Sequence, residues 1–281
     1  MTAVSVTVDR PARRRRPATA GSLGLQSGIG LGVAMLWFSL LVLIPLAAVV
    51  VTSLEDGWSG FWSVLENDQT RSALTLTIGT AVLVTLINVV MGTVIAWELV
   101  RDRFWGKAVM SLIIDIPFAL PTIVAGLVLL SLYGPRSPIG INVANTRVAV
   151  SLALMFVTLP FVVRTVQPVL EEIEVDVEEA SASLGASKLT TFRKVVLPSL
   201  VPAIMAGAAL SFARAISEYG SLVLLSGSLP FKTQVASVRV LAYLEGGNRA
   251  AAAAVATVLL VVSFVVIVLL DVLQRRVSRR G

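Results

Sequence analysis

The amino-acid sequence predicts an all-α membrane protein with six transmembrane helices and both termini in the cytoplasm. Three observations carry this. Of 281 residues, 56% are hydrophobic and only 14% charged, with a mean hydropathy of +0.87, whereas soluble domains carry about 25% charged residues. Six segments have, or nearly have, the roughly 20 apolar residues needed to cross about 30 Å of hydrocarbon. Finally, the basic residues segregate. Sixteen fall in the tails and the connections after the second and fourth segments, against six (Arg71, Arg136, Arg147, Lys232, Arg239 and Arg249) on the other side. The positive-inside rule then places both termini in the cytoplasm.

Residues 1–30 read as a basic tail, with Arg10 and the run Arg13, Arg14, Arg15 and Arg16. A secretory signal, a twin-arginine signal and a nucleic-acid arm are the competing readings of that run. The apolar stretch that follows is longer than a signal-peptide core and lacks a small-x-small cleavage site. A topology anchor on an uncleaved helix fits better. The net charge of +6 is explained the same way, so no nucleic-acid partner is expected. The first helix covers 31–53. Gly28 and Gly32 form a GxxxG pattern at the membrane edge, where it carries little weight. A polar connection near residue 60 follows, with Glu55, Asp56, Glu66 and Asp68 facing outward.

The second helix is 74–97, uncharged, followed by Arg101, Arg103 and Lys107. The third is 108–133, read as one helix kinked by Pro117 and Pro121, with a polar face of Ser111, Asp115, Thr122 and Gly126. Proline removes a helical hydrogen bond, which membrane helices tolerate where neighbours or water satisfy the freed carbonyls. This face either lines a pore or marks a packing kink. The fourth helix, 148–163, is short, with Arg164 placed to snorkel at its end. The fifth, 200–225, carries Arg214 and Glu218. The sixth, 250–270, is uncharged, and Ala250 to Ala254 give it a small face. Residues 273–281 form a second basic tail.

Cysteine and histidine are both absent. Disulfides, thiolate metal sites and Ser-His or Cys-His catalysis are thereby excluded. Intramembrane charges are costly and face the bundle interior. Arg214 and Glu218 are four apart, on one helical face, which extends to Gly207, Ser211 and Ser221. The pair either neutralises itself and locks packing, or also lines or gates an ion path.

The loop 171–198 is the most informative segment. It opens with Glu171, Glu172, Glu174, Asp176, Glu178 and Glu179, then turns to small residues: Ala180, Ser181, Ala182 and Ser183. Small side chains let another surface approach closely. Gly185 is suited to a left-handed helix stop, and Ser187 to capping the next helix. Phe192 and Leu197 give that second segment an apolar side, and Pro198 and Pro202 stiffen its junction with the fifth helix. A helix–turn–helix of this kind suits transmission of a push from a soluble partner.

The series Glu179-Ala180-Ser181, Gly185, Val195, Leu197 and Pro198 resembles the cytoplasmic signature of permease subunits in bacterial binding-protein-dependent ABC importers. The departures are Ser181 for Ala and Val195 for Ile. Asp115-Ile116-Pro117-Phe118-Ala119-Leu120-Pro121-Thr122 is similar to the sulfate and molybdate permeases, as is the stretch from Ser211 to Gly220. The stretch from Leu159 to Glu172 resembles the T-type sulfate/thiosulfate permeases, whereas the W-type partner differs there. The resemblance covers about residues 31–275.

It implies a type-1 ABC importer permease fold, with residues 72–272 as the permease domain and Glu179, Ala180, Gly185, Leu197 and Pro198 as the ATPase-coupling residues. Asp115, Pro117, Pro121, Thr122, Ser211, Arg214 and Glu218 are the candidates for pathway or gate. It further implies a W-type second permease subunit, two ATPase subunits and a periplasmic sulfate-binding protein, in a bacterial inner membrane. The chain is not expected to be an enzyme or to hold a cofactor. Gly106-Lys107 is followed by Ala108, and Arg101 stands where a P-loop needs glycine, so ATP is left to a partner. Two alternatives remain: a permease for another oxyanion such as molybdate, and an ion-coupled secondary transporter that uses Asp115 and Glu218 directly. The latter often shows inverted repeats, and none is visible.

Overall fold

The computed structural model describes the backbone of residues 25–278 and the side chains of 28–276. The arginine run at 13–16, Arg10, Arg279 and Arg280 lie outside the described residues. The chain separates into two units, Met1–Ala47 and Ala48–Gly281. The described part of the first is an apolar helix. It comprises α1 (Leu25–Phe38), a π-helical turn at Ser39–Leu43 and the start of α2 (Ile44–Thr52). Gly28–Thr52 is long and apolar enough to span a bilayer.

Every regular element among the described residues of the second unit is a helix. The connection near residue 60, read as a polar loop, contains α3 (Gly57–Glu66). Its Trp58 and Phe61 rings stack at 5.5 Å, and Trp62 meets both edge-on. Such an aromatic cluster suits a membrane–water boundary. Asn67 then caps α4 (Asp68–Arg101), accepting hydrogen bonds from the Gln69 and Thr70 amides. The helix buries Ala73, Thr77, Ala81, Val84, Asn88, Gly92, Ala96 and Leu99, three or four residues apart and so on one face. Most are small because backbones must approach closely where lipid is as apolar as the core.

That face packs on α7 (Arg147–Glu172). The two helices run the same way: Asn88 donates to Thr158 at 2.8 Å, and a Cβ on Gly92 would lie 2.8 Å from Val162. The expected fourth helix ended at 163. Instead α7 continues more than two turns to Glu172, so Arg164 is an interior helical residue rather than a snorkelling terminus.

The expected single third helix is two, α5 (Lys107–Ala119) and α6 (Thr122–Tyr133), bent by 120°. Pro121 is the cause. Its ring excludes the helical region for the preceding residue, and Leu120 is extended at φ −88°, ψ 135°. Pro117 stays inside α5. The bent pair still carries the chain from end to end of the unit. Phe118 meets Phe161 in the C-terminal half of α7, while Tyr133 accepts from the Val143 amide just before α7 begins. Counted as one span, the bent pair brings the helices long and apolar enough to cross a membrane from five to six.

The expected fifth helix also breaks. α10 (Leu197–Ile216) stops, Ser217 to Tyr219 form a bend, and α11 (Gly220–Ser226) resumes. α12 (Ala236–Glu245) and α13 (Arg249–Ser278) complete the unit. α12 is pinned to α4: the Ala236 amide donates to Thr77 Oγ1 at 2.8 Å, and the Thr70 and Tyr243 hydroxyls meet at 2.8 Å. One apolar cluster, including Ala81, Val84, Val150, Phe212 and Leu225, lies toward the α12 end. Another, including Leu99, Val163, Val166, Leu170 and Leu200, lies toward the opposite end, where α8 (Val175–Ser183) sits.

Candidate functional site

The signature loop forms the helix–turn–helix read from its residues. α8 (Val175–Ser183) stops at Leu184, and Gly185 takes φ +83°. The Gly185 amide donates to the Ala182 carbonyl and the Ala186 amide to that of Ser181, the paired bonds of a Schellman stop. Ser187 then accepts from the Thr190 amide and caps α9 (Lys188–Thr191). A π-helical turn, Phe192–Val196, joins α9 to α10 without a gap. Leu197 is half-buried at the first position of α10, and Pro198 follows, exposed. The extra backbone slack of a π turn accommodates the hydrogen bond that Pro198 cannot make.

α8 buries no side chain. Glu179, Ala180 and Gly185 are exposed, and Leu184 is 90% exposed, so the tip of the turn is bare. The inner side is different. Arg101, the last residue of α4, donates through Nε and Nη2 to Glu178 at 2.9 and 2.7 Å and through Nη2 to the Ile173 carbonyl at 3.0 Å. Trp97 packs edge-on against Phe192 at 5.4 Å. The Ser181 and Thr191 hydroxyls meet at 2.9 Å. A groove of about 480 Å³ runs between Trp97, Arg101, Glu179, Ala182 and Phe192. Arg101 was read only as a topology charge. No residue pattern announces a pairing across 77 positions.

The pathway candidates fall into two groups. Arg214 and Glu218 are ion-paired as their spacing suggested, but across the end of α10 rather than along a continuous helix. Glu218 is 1% exposed in its side chain and Arg214 26%. The second Glu218 oxygen accepts from the Ser221 amide at 2.9 Å and its hydroxyl at 2.8 Å. Ser211 is fully buried, with no hydrogen-bond partner for its hydroxyl among the described residues. Gly207 faces protein: a Cβ there would lie 3.0 Å from the Val162 backbone. Thr122 joins this group. A Cβ on Gly220 would press into Thr122, and one on Gly126 would lie 2.8 Å from the backbone of Ser221. The break after Pro121 and the break before Gly220 therefore abut.

Asp115 belongs elsewhere. Arg164 holds it through two parallel bonds of 2.7 Å and also reaches the Ser111 carbonyl and hydroxyl and Gln167. Parallel N–H···O bonds from one guanidinium are the strong geometry for a carboxylate. Asp115 was placed as a pathway residue and Arg164 as a terminal anchor; the structure pairs the two and so joins α5 to α7. Pro117 lies two residues on, half-buried, and Pro121 is exposed at the bend.

The described residues thus form a bundle of apolar helices, two of them broken, with a bare helix–turn–helix at one end. Residues 88–279 match the model of the binding-protein-dependent transport system inner membrane component, and the chain belongs to this family. The sulfate transport system permease protein CysT of Synechocystis sp. is 43% identical over 76% of this chain and 77% of its own length. The CysT protein of Escherichia coli K12 is 40% identical over 77% and 81%. Among solved structures, a bacterial ABC transporter involved in import of the acidic polysaccharide alginate matches with a TM-score of 0.74. It covers 89% of this chain and 94% of that one, at 17% identity; at that identity the likeness concerns the fold alone. The all-helical ABC importer permease fold expected from the sequence is the one observed.

Proposed function

We propose that this chain is one permease subunit of an ATP-driven importer of sulfate or thiosulfate in a bacterial inner membrane. A second, W-type permease completes the translocation path. Two ATPase subunits dock at the α8–Gly185–α9 turns, and a periplasmic sulfate-binding protein delivers substrate. ATP is bound by the partner, and the chain performs no chemistry itself. Residues 72–272 form the permease domain, and both termini lie in the cytoplasm. The 40% and greater identity to CysT proteins supports the substrate class. The observation that carries the coupling is the bare turn, a defined helix stop that buries nothing of its own. Driving follows from linkage: the ATPase shifts the permease between states only by contacting this turn differently in each.

The abutting breaks at Thr122 and Gly220 are the best-supported pathway element. Non-helical backbone at membrane depth needs protein or water for company, and transporter sites are commonly built from discontinuous helices. Arg214 and Glu218 cancel there. A dianion then passes a polar, nearly neutral constriction instead of a tight cationic site, and selection rests with the binding protein.

A strain lacking its own permease tests this. Labelled-sulfate uptake should return when this chain is supplied with its genomic partners, and the ATPase should copurify. Reporter fusions at Glu66 and Glu179 should report opposite sides of the membrane. No uptake with the ATPase fully bound, or both fusions on one side, contradicts the reading.

A further inference from the structure

Among the described residues, one ion pair, Arg101 with Glu178, ties α8 to the bundle. Arg101 and Glu178 are 13% and 21% exposed in their side chains, so water screens the pair only in part. The same guanidinium holds the Ile173 carbonyl, the residue that links α7 to α8. The neighbouring Glu179 is exposed at the edge of the groove. Of the two adjacent carboxylates, only Glu178 is paired with Arg101 on α4.

α4 is a suitable rod for what the clamp receives. From Arg101 to Thr70 it spans about 46 Å at 1.5 Å per residue, without proline. At its far end Thr70 meets Tyr243 on α12, and Arg239 stacks over the Tyr243 ring at 4.1 Å. We infer that Arg101 is a positioning residue for coupling: it fixes α8 to α4 through Glu178 and Ile173, so that displacement of the turn is delivered along α4 to the α12 end. This rests on the docking reading above and adds to it the strut that carries the motion onward. An arginine is required, because lysine cannot serve both acceptors with one planar fork.

The experiment uses the whole complex in proteoliposomes, with binding protein, ATP and labelled sulfate, and reads both sulfate taken up and ATP hydrolysed. Arg101→Ala should leave hydrolysis near wild type while sulfate per ATP falls about tenfold, the size of a typical intersite coupling. Arg101→Lys should fall between. Arg101→Glu combined with Glu178→Arg should restore part of the ratio, because the exchange remakes the ion pair but leaves the Ile173 carbonyl without its donor. An unchanged ratio in Arg101→Ala overturns the strut, as does loss of the ATPase with an unchanged ratio per ATPase retained. If Arg101→Ala does not accumulate, the double exchange decides: coupled uptake supports the strut and its absence overturns it. A wild-type complex that neither binds the ATPase nor takes up sulfate would instead remove the docking reading.

Discussion

Gly126 on α6 and Ser221 on α11 touch backbone to backbone, so closely that a Cβ on Gly126 would lie 2.8 Å from Ser221 Cα and 2.8 Å from its carbonyl oxygen. Gly220 sits one residue away, equally close to Thr122 and the Ile123 amide. Each broken helix thus supplies a glycine to the other's break. Gly126 meets backbone atoms alone, and Gly220 meets the Ile123 amide nitrogen as well as the Thr122 hydroxyl, so added volume has little room at either.

Gly126→Val should cost about 1–3 kcal/mol, as overpacking typically does, or prevent assembly. Gly79→Ala, where a Cβ meets nothing within 4 Å, serves as the control. Thermal melting of the detergent-solubilised protein checks both. Equal melting temperatures for the two variants would contradict the interlock.

Gly185 should tolerate asparagine better than valine. Nothing lies within 4 Å of its would-be Cβ, yet its φ is +83°, so the restriction is backbone strain and not space. Asparagine visits the left-handed region readily and a β-branched residue does not, with about 1–2 kcal/mol at stake. Uptake should persist in Gly185→Asn and fail in Gly185→Val while membrane levels stay normal. Gly185→Asp adds a charge to the bare tip and should abolish uptake. Normal transport by the valine variant would count against the turn geometry.

Arg214 and Glu218 should behave as a unit. Removing Arg214 leaves a carboxylate that is 1% exposed with no counter-charge, a loss of about 3–5 kcal/mol. Arg214→Ala should therefore reduce membrane levels sharply. Arg214→Leu with Glu218→Leu should recover assembly and much of the transport. A double mutant that assembles fully but is inert would assign Arg214 to the passing anion instead.

Asp115 and Arg164 should be exchangeable in sign but not in shape. Arg164→Lys loses the two-pronged contact and the Ser111 bonds, and should loosen α5 from α7. Asp115→Arg with Arg164→Asp should recover part of what either single reversal loses. Limited proteolysis in the 102–106 connection reports the loosening. Equal resistance in wild type and all four variants would remove the clamp.

How far the sequence could be read depended on whether a signal was local. The Gly185 stop and the Ser187 cap were legible because turn chemistry depends on neighbours in sequence, and the i, i+4 spacing gave the Arg214–Glu218 pair for the same reason. The apolar runs gave the spans because membrane thickness is fixed. The breaks were misjudged by degree: Pro121 was read as a kink and proved a 120° turn, and the bend at Ser217 to Tyr219 has no proline at all to announce it. Nor did hydropathy reveal which face of α4 is buried, since lipid and core are equally apolar; only the small residues at Ala73, Ala81, Gly92 and Ala96 mark it. Arg101–Glu178 and Arg164–Asp115 are long-range pairs, 77 and 49 positions apart, which a single sequence does not encode in any periodicity.

The most direct test compares this chain alone with the complete complex in sealed vesicles. The chain alone, under an imposed sodium or proton gradient, should accumulate no sulfate despite Asp115 and Glu218. The complex with its second permease, ATPases and binding protein should accumulate it only with ATP, and Gly185→Asp should stop it. Gradient-driven accumulation by the chain without any partner would contradict the account.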